Sequence, residues 1–234
     1  MTTRIAASPG RARRQWLAPA GLILLSLIPI IAGAARLTQL TGGAVVTGES
    51  ARVVDSPIPL VIHIVSVTVY SLLGAFQFVP ALRGRRSWHR VAGRILIPAG
   101  VLAALSGIWM AVFYPHAHGH GDLTMAFRLI FGSAMLACIA LGVRAIVQRD
   151  FREHSEWMTR AYAIALGAGT QAIILIPCSI VLGSTQNLTG AILMGVAWVI
   201  NLAVAEYIIR RRVRRTLRST PPQLHQLRPT GTAQ

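Results

Sequence analysis

Apolar runs long enough to cross a lipid bilayer recur along this chain, and they constrain its fold more than any other feature. A helix needs about 20 apolar residues to span the hydrocarbon core. Because the runs are continuous rather than alternating, they predict helices and not the strands of a membrane barrel. We predict an all-α integral membrane protein with six transmembrane helices, of which spans two to five form a four-helix core bundle. The spans cover approximately residues 16–36, 58–82, 89–113, 124–147, 158–182 and 188–209.

The composition supports a membrane protein and argues against a nucleic-acid partner. Of the 234 residues, 53% are hydrophobic and 13% are charged, whereas a soluble domain carries about 25% charged residues. The formal net charge of +16 is typical of nucleic-acid binding. Here, however, the basic residues are distributed among segments that flank the apolar runs. The predicted partner is therefore the lipid bilayer.

The arginines alternate between the two sides of the predicted membrane. All 23 basic residues are arginine, and all but three precede span one, follow span six, or lie in or beside the connections after spans two and four. The three exceptions are Arg36, Arg52 and Arg128. Because positively charged loops remain in the cytoplasm, we predict that both termini are cytoplasmic and that the chain lies in a bacterial plasma membrane.

This alternation also divides the chain into three parts. Residues 1–15 form a basic cytoplasmic N-terminus, and residues 16–209 form the six-span domain. Residues 210–234 are predicted to be a basic, disordered cytoplasmic tail that suits an anionic lipid surface. The first apolar run, from about Trp16 to Leu37, is too long for the apolar segment of a signal peptide, so we interpret it as a retained helix.

Polar residues inside the spans fall into two layers, and each needs a reason because polar groups in hydrocarbon are costly. The outer layer joins His63, Arg128 and Gln171. Glu206 in the inner layer precedes Arg210 by one helical turn, which predicts a local ion pair. The inner layer, nearer the cytoplasm, contains Gln77, His89, Arg94, His154, Arg160 and Glu206.

Two inner histidines have the placement expected of axial haem ligands. His89 and His154 each lie where the second helix of a hairpin begins, beside a tryptophan and spaced arginines. A bis-histidine site needs two imidazoles on facing helices, and arginine can bind the haem propionates. We predict that these histidines hold haem b, or contact a quinone, with Arg94 and Arg160 at the propionates or head group. His63 would then serve a second, outer site. Alternatively, each histidine is an interfacial hydrogen-bonding residue.

The connection after span three contains alternating histidines, His116, His118 and His120, followed by Asp122. Side chains of this type bind Zn or Cu(II), although short histidine-rich loops also bind metals adventitiously. The sequence has no Walker A motif, no GxSxG and no HExxH. No catalytic residues are predicted, and whether the protein is an enzyme stays open.

A set of short motifs covers most of the chain, from about residue 60 to 209. They are His63, GAFQF at 74–78, WHRVAGR at 88–94, LSGIWMA at 105–111, Arg128, HSEWMTRAYA at 154–163, GAGTQ at 167–171 and NLAVAE at 201–206. Together they resemble a bacterial membrane-protein family catalogued as domain of unknown function 2306. The resemblance implies a multi-helix integral membrane protein and brings no established catalytic residues.

Two functional classes follow from these residues, with a third as the plainest alternative. The first is a redox-type membrane protein that holds haem b or a quinone between the core helices. The second is a small-molecule transporter in which His63, Arg128, Gln171 and Asn201 line a polar path. Since six spans are few for a transporter, that protein would act as a homodimer. The third is an accessory subunit whose polar residues contact each other or a membrane-complex partner.

Overall fold

The computed structural model describes residues 9–42, 56–79, 82, 86–114, 121–183 and 188–219. These residues form helices and short turns, and six segments are long and apolar enough to cross a membrane. The predicted all-helical, six-span class is therefore confirmed. The helices are α1 (Pro9–Thr41), α2 (Pro57–Phe76), α3 (Arg86–Phe113), α4 (Asp122–Val147), α5 (Phe151–Ala165), α6 (Gly167–Leu182) and α7 (Leu188–Ser219).

Three helix boundaries differ from those that the sequence predicts. The second helix ends at Phe76, where turns replace it. The fifth span begins early, at Phe151, and is divided at Leu166 into α5 and α6. The last helix continues to Ser219, so the first part of the predicted disordered tail is helical. Residues 220–234 lie outside the described residues.

A tight turn between α4 and α5 reverses the chain. Arg149 has a φ of 64°, a left-handed conformation that is uncommon for a residue with a side chain. The carboxylate of Asp150 then accepts a hydrogen bond from the backbone N–H of Glu153 at 2.8 Å. This N-cap stabilises the first turn of α5, and the turn returns α5 along α4.

α5 lies near the centre of one half of the bundle. α5 packs against α2, α4 and α7, while α3 packs against α2 and α4. α1 contacts α2 and α6, and α6 contacts α7.

The two ends of the bundle differ in charge. We call the end that carries Arg90, Arg144, Arg152 and Arg210 the arginine-rich end, and the other the opposite end.

Tyr162 on α5 organises the core near the arginine-rich end. Its ring lies 5.9 Å from that of Tyr70 and 5.1 Å from that of Phe78. Its hydroxyl donates a hydrogen bond to the backbone oxygen of Ser71 at 2.7 Å. Gly74 allows this approach, since a Cβ there would overlap the Tyr162 ring. Large apolar side chains on the outside of the bundle are exposed, as contact with lipid requires.

Candidate functional site

A cavity of about 410 Å³ lies in the half of the bundle nearest the opposite end. It extends from the end of α1 to the centre of the bundle, and all six spans contribute to its wall. Most of the wall is apolar, including four methionines and the rings of Phe131 and Trp198. The polar residues of the wall are Arg36, His63, Tyr114, Thr124, Arg128 and Gln171.

The structure brings together the three residues of the predicted outer layer. His63 on α2, Arg128 on α4 and Gln171 on α6 all line this cavity. The Gln171 side-chain amide also donates to the backbone oxygen of Met194 at 3.4 Å. Arg36 lines the same cavity from α1. The sequence did not indicate this role, because Arg36 is the last residue of the first predicted span and was counted with the connection that follows. Its Nη1 donates to Gln39 Oε1 at 3.0 Å.

His63 is held in one orientation by α3. Its Nδ1 lies 2.9 Å from the backbone oxygen of Ala103 and 3.2 Å from the hydroxyl of Ser106. Since a carbonyl oxygen can only accept, Nδ1 carries the hydrogen. The Ser106 hydroxyl donates to the backbone oxygen of Leu102 at 2.6 Å. Among the described residues nothing bonds to Nε2, which is the ring nitrogen available to a molecule in the cavity.

The floor of the cavity is the break in the fifth span. Ile164 and Ala165 end α5 at the cavity wall, and Ala168 lies in the first turn of α6. Two side chains of α7 donate to carbonyl oxygens beside the break. Trp198 Nε1 bonds to the oxygen of Ile164 at 3.1 Å, and Asn201 Nδ2 bonds to that of Ala163 at 3.1 Å. A break in a membrane helix needs such partners because no water replaces the lost backbone bonds.

Trp198 and Asn201 are both fixed by further contacts. The Trp198 ring stacks on Phe131 of α4 with centroids 4.7 Å apart. Asn201 Oδ1 accepts from the Thr170 hydroxyl at 2.8 Å. Asn201, which the sequence suggested as part of a polar path, therefore ties α7 to both halves of the broken span. It is not among the residues that line the cavity.

The predicted inner layer is only partly assembled. Arg160 on α5 and Glu206 on α7 form an ion pair, and the Arg160 guanidinium lies 4.6 Å from the centroid of the Trp157 ring. The prediction that Glu206 pairs with Arg210 on its own helix is thus wrong. α5 and α7 are in contact, which places Arg160 within reach of the Glu206 carboxylate.

The two histidines predicted to bind haem have different surroundings. His154 Nδ1 lies 2.8 Å from the backbone oxygen of Gly142 on α4, so its Nε2 is the nitrogen left for a ligand. His89 and Arg94 are exposed on α3, whose main interfaces are with α2 and α4. The described residues therefore direct His154 towards α4 and leave His89 at the periphery. His116, His118 and His120 lie outside the described residues.

The fold and the cavity define a multi-pass membrane protein with a partly polar chamber between its helices. Residues 60–209 match the model of a family described as a predicted membrane protein, DUF2306. The match covers more than half of the chain, and the protein belongs to this family. Comparison with curated proteins and with solved structures gives no match.

Proposed function

We propose that this protein binds a quinone-type molecule, meaning a lipid-soluble compound with an apolar body and an oxygen-bearing ring, in the cavity near the opposite end. The observation that carries the proposal is the wall itself: a largely apolar chamber of about 410 Å³ on which His63, Arg128 and Gln171 converge. Such binding would make the protein part of a membrane redox system.

The size and lining of the cavity fit this class of ligand. Sites for organic molecules measure about 300–1,000 Å³ and are mostly apolar, with a few polar groups that fix orientation. The methionines of the wall are Met110, Met125, Met135 and Met194. Their flexible thioether chains adapt to flat or irregular ligands. The ring oxygens would meet donors on Arg128 and Gln171, since both side chains carry N–H groups.

Quenching of tryptophan fluorescence tests the proposal, because Trp198 lies in the cavity wall. A decyl-substituted benzoquinone is titrated into the purified protein in mild detergent, and saturable quenching is expected. Ala168→Phe should abolish it, since Ala168 is exposed in the wall and the larger ring occupies the chamber. Ala140→Phe is the matched control, because this exposed alanine of α4 does not line the cavity. Linear quenching alone, or equal binding by both variants, would exclude the cavity as a quinone site.

Transport of a small molecule is the second candidate, and the broken fifth span favours it. Interrupted helices beside a central site are common in secondary transporters, and Ala165 and Ala168 flank the break at the cavity wall. An uptake assay in proteoliposomes should then depend on Arg128. Arg128→Ala is compared with Arg144→Ala, which changes an arginine on the same helix at the arginine-rich end. Uptake that is indifferent to both variants counts against this function.

Haem binding by His89 and His154 stays a prediction, and the same purified protein tests it. A dithionite-reduced minus oxidised spectrum should show a sharp α-band if haem b is bound. The band should disappear in His89→Ala and in His154→Ala. The exposed position of His89 does not favour its pairing with His154 at one haem. A flat spectrum after expression with ample haem would exclude haem binding and leave the quinone proposal unaffected.

A further inference from the structure

We infer that the cavity selects the hydroxyl form of its ligand, a phenol or hydroquinone, and that His63 Nε2 accepts the hydrogen bond from that hydroxyl. The inference rests on the proposed quinone site and names the chemical form that the site prefers. No electron transfer is part of it. His63 is assigned as a specificity-determining residue, since it would touch the head group directly.

The tautomer of His63 follows from its contacts. Its Nδ1 lies 2.9 Å from the oxygen of Ala103, which has no hydrogen to give, so Nδ1 is the donor. Ser106 does not compete for this role, because its hydroxyl donates to backbone oxygens at 2.6 and 3.1 Å. In a neutral imidazole with hydrogen on Nδ1, the other nitrogen holds a lone pair and can only accept.

The surroundings of His63 favour its neutral imidazole. An isolated charge in an apolar environment is strongly unfavourable unless an opposite charge compensates it. Among the described residues of the cavity wall none is acidic, whereas two are arginines. A protonated His63 would therefore add positive charge to a wall that already carries it. His63 Nε2 is accordingly an acceptor on a residue that lines the cavity.

The arginines and His63 thus have complementary hydrogen-bonding roles towards a ligand. The guanidinium groups of Arg36 and Arg128 can only donate, so they suit any ligand oxygen, including carbonyl, ether and hydroxyl. His63 Nε2 distinguishes among these groups, because only a hydroxyl brings a hydrogen to it. A hydroxyl oxygen can satisfy both residues at once, and a carbonyl or ether oxygen cannot.

Two probes that differ only in the hydroxyl hydrogen test directly whether the cavity prefers a hydroxyl group. The bound benzoquinone is displaced with para-octylphenol or with its methyl ether, and the loss of tryptophan quenching measures how tightly each probe binds. Wild-type protein should bind the phenol about three- to tenfold more tightly, the effect of one neutral hydrogen bond. His63→Asn should bind both equally, because the asparagine amide can still donate to Ala103 while the acceptor at Nε2 is gone. Ser179→Ala, an exposed position of α6 outside the cavity, should keep the wild-type preference.

The outcomes separate this inference from the function on which it rests. If the benzoquinone binds but wild-type protein takes the phenol and the ether equally, the hydroxyl preference is wrong and the quinone site stands. If His63→Asn folds, as judged by its elution volume and thermal unfolding, yet retains the preference, another residue is the acceptor. If wild-type protein shows no saturable quenching by the benzoquinone, the quinone site itself is wrong. The wild-type comparison needs no variant, so it decides the question even if His63→Asn is unstable.

Discussion

The most sensitive position beside the break is Gly167, and Gly167→Ala should destabilise the protein. A Cβ at this position would overlap Trp198 at Nε1 and Cδ1 and would lie 3.0 Å from Cε2. The indole cannot move aside freely, because it stacks on Phe131 and bonds to the oxygen of Ile164. One added methyl group therefore displaces a tryptophan that joins three helices.

The expected cost of Gly167→Ala combines three effects. Overpacking costs about 1–3 kcal/mol, loss of the Trp198 hydrogen bond costs about 1 kcal/mol, and loss of the aromatic stack costs about 1 kcal/mol. The effects overlap, since one movement of the indole causes them all. We therefore expect a decrease of about 3 kcal/mol in the free energy of unfolding.

The control is the same substitution where space is available. Gly93→Ala on α3 meets no atom within 4 Å, so it should leave stability unchanged or raise it by up to about 1 kcal/mol through helix propensity. Both variants are compared by reversible unfolding in mixed detergent micelles, with intrinsic fluorescence as the readout. If Gly167→Ala unfolds at the same denaturant fraction as Gly93→Ala, the account of the Trp198 contact is wrong.

Three further predictions concern other parts of the fold. Tyr162→Phe should lower the free energy of unfolding by about 1 kcal/mol, because the backbone oxygen of Ser71 loses its donor. The same detergent titration measures this, and an unchanged unfolding midpoint would contradict it. Glu206→Gln should destabilise the protein more than Glu156→Gln, by up to about 1 kcal/mol. The reason is that Glu206 pairs with Arg160, which is less exposed than Arg152, the partner of Glu156. The reverse order would refute the role of the interhelical pair. Reporter fusions should place both termini in the cytoplasm, so that a C-terminal green fluorescent protein is bright and a C-terminal alkaline phosphatase is inactive; the opposite pattern would invert the topology.

The sequence predicts the spans well because one physical requirement, the thickness of the hydrocarbon core, determines their length. The same requirement also explains the joint placement of His63 and Arg128. Each lies a short distance from the same membrane edge, so their depths agree without knowledge of helix rotation. Depth can be inferred from position along a span, whereas the neighbours of a side chain at that depth cannot.

The features that sequence analysis missed all depend on contacts between helices. The break at Leu166 has no proline, and the nearby Gly167 and Gly169 also fit an unbroken, closely packed helix. Asn201 was expected to line a polar path, but it caps a carbonyl oxygen that the break exposes. Glu206 was assigned to Arg210 by spacing, but its carboxylate faces Arg160 on a neighbouring helix. Spacing within a helix does not fix which neighbour a side chain meets.

The position of α1 has a consequence for the order of assembly. This helix is synthesised before the other five spans, yet it packs against α6, which belongs to the fifth span. The contact is close, since the backbone oxygen of Leu25 lies against Gly169, where no larger residue would fit. Until then the first span must remain in lipid with one side uncovered, and it is suited to this state. Its buried Ser26 donates to the oxygen of Leu22 on the same helix, so its hydroxyl needs no other segment. Because the fifth and sixth spans both contribute to the cavity wall, a nascent chain with four spans has no complete cavity.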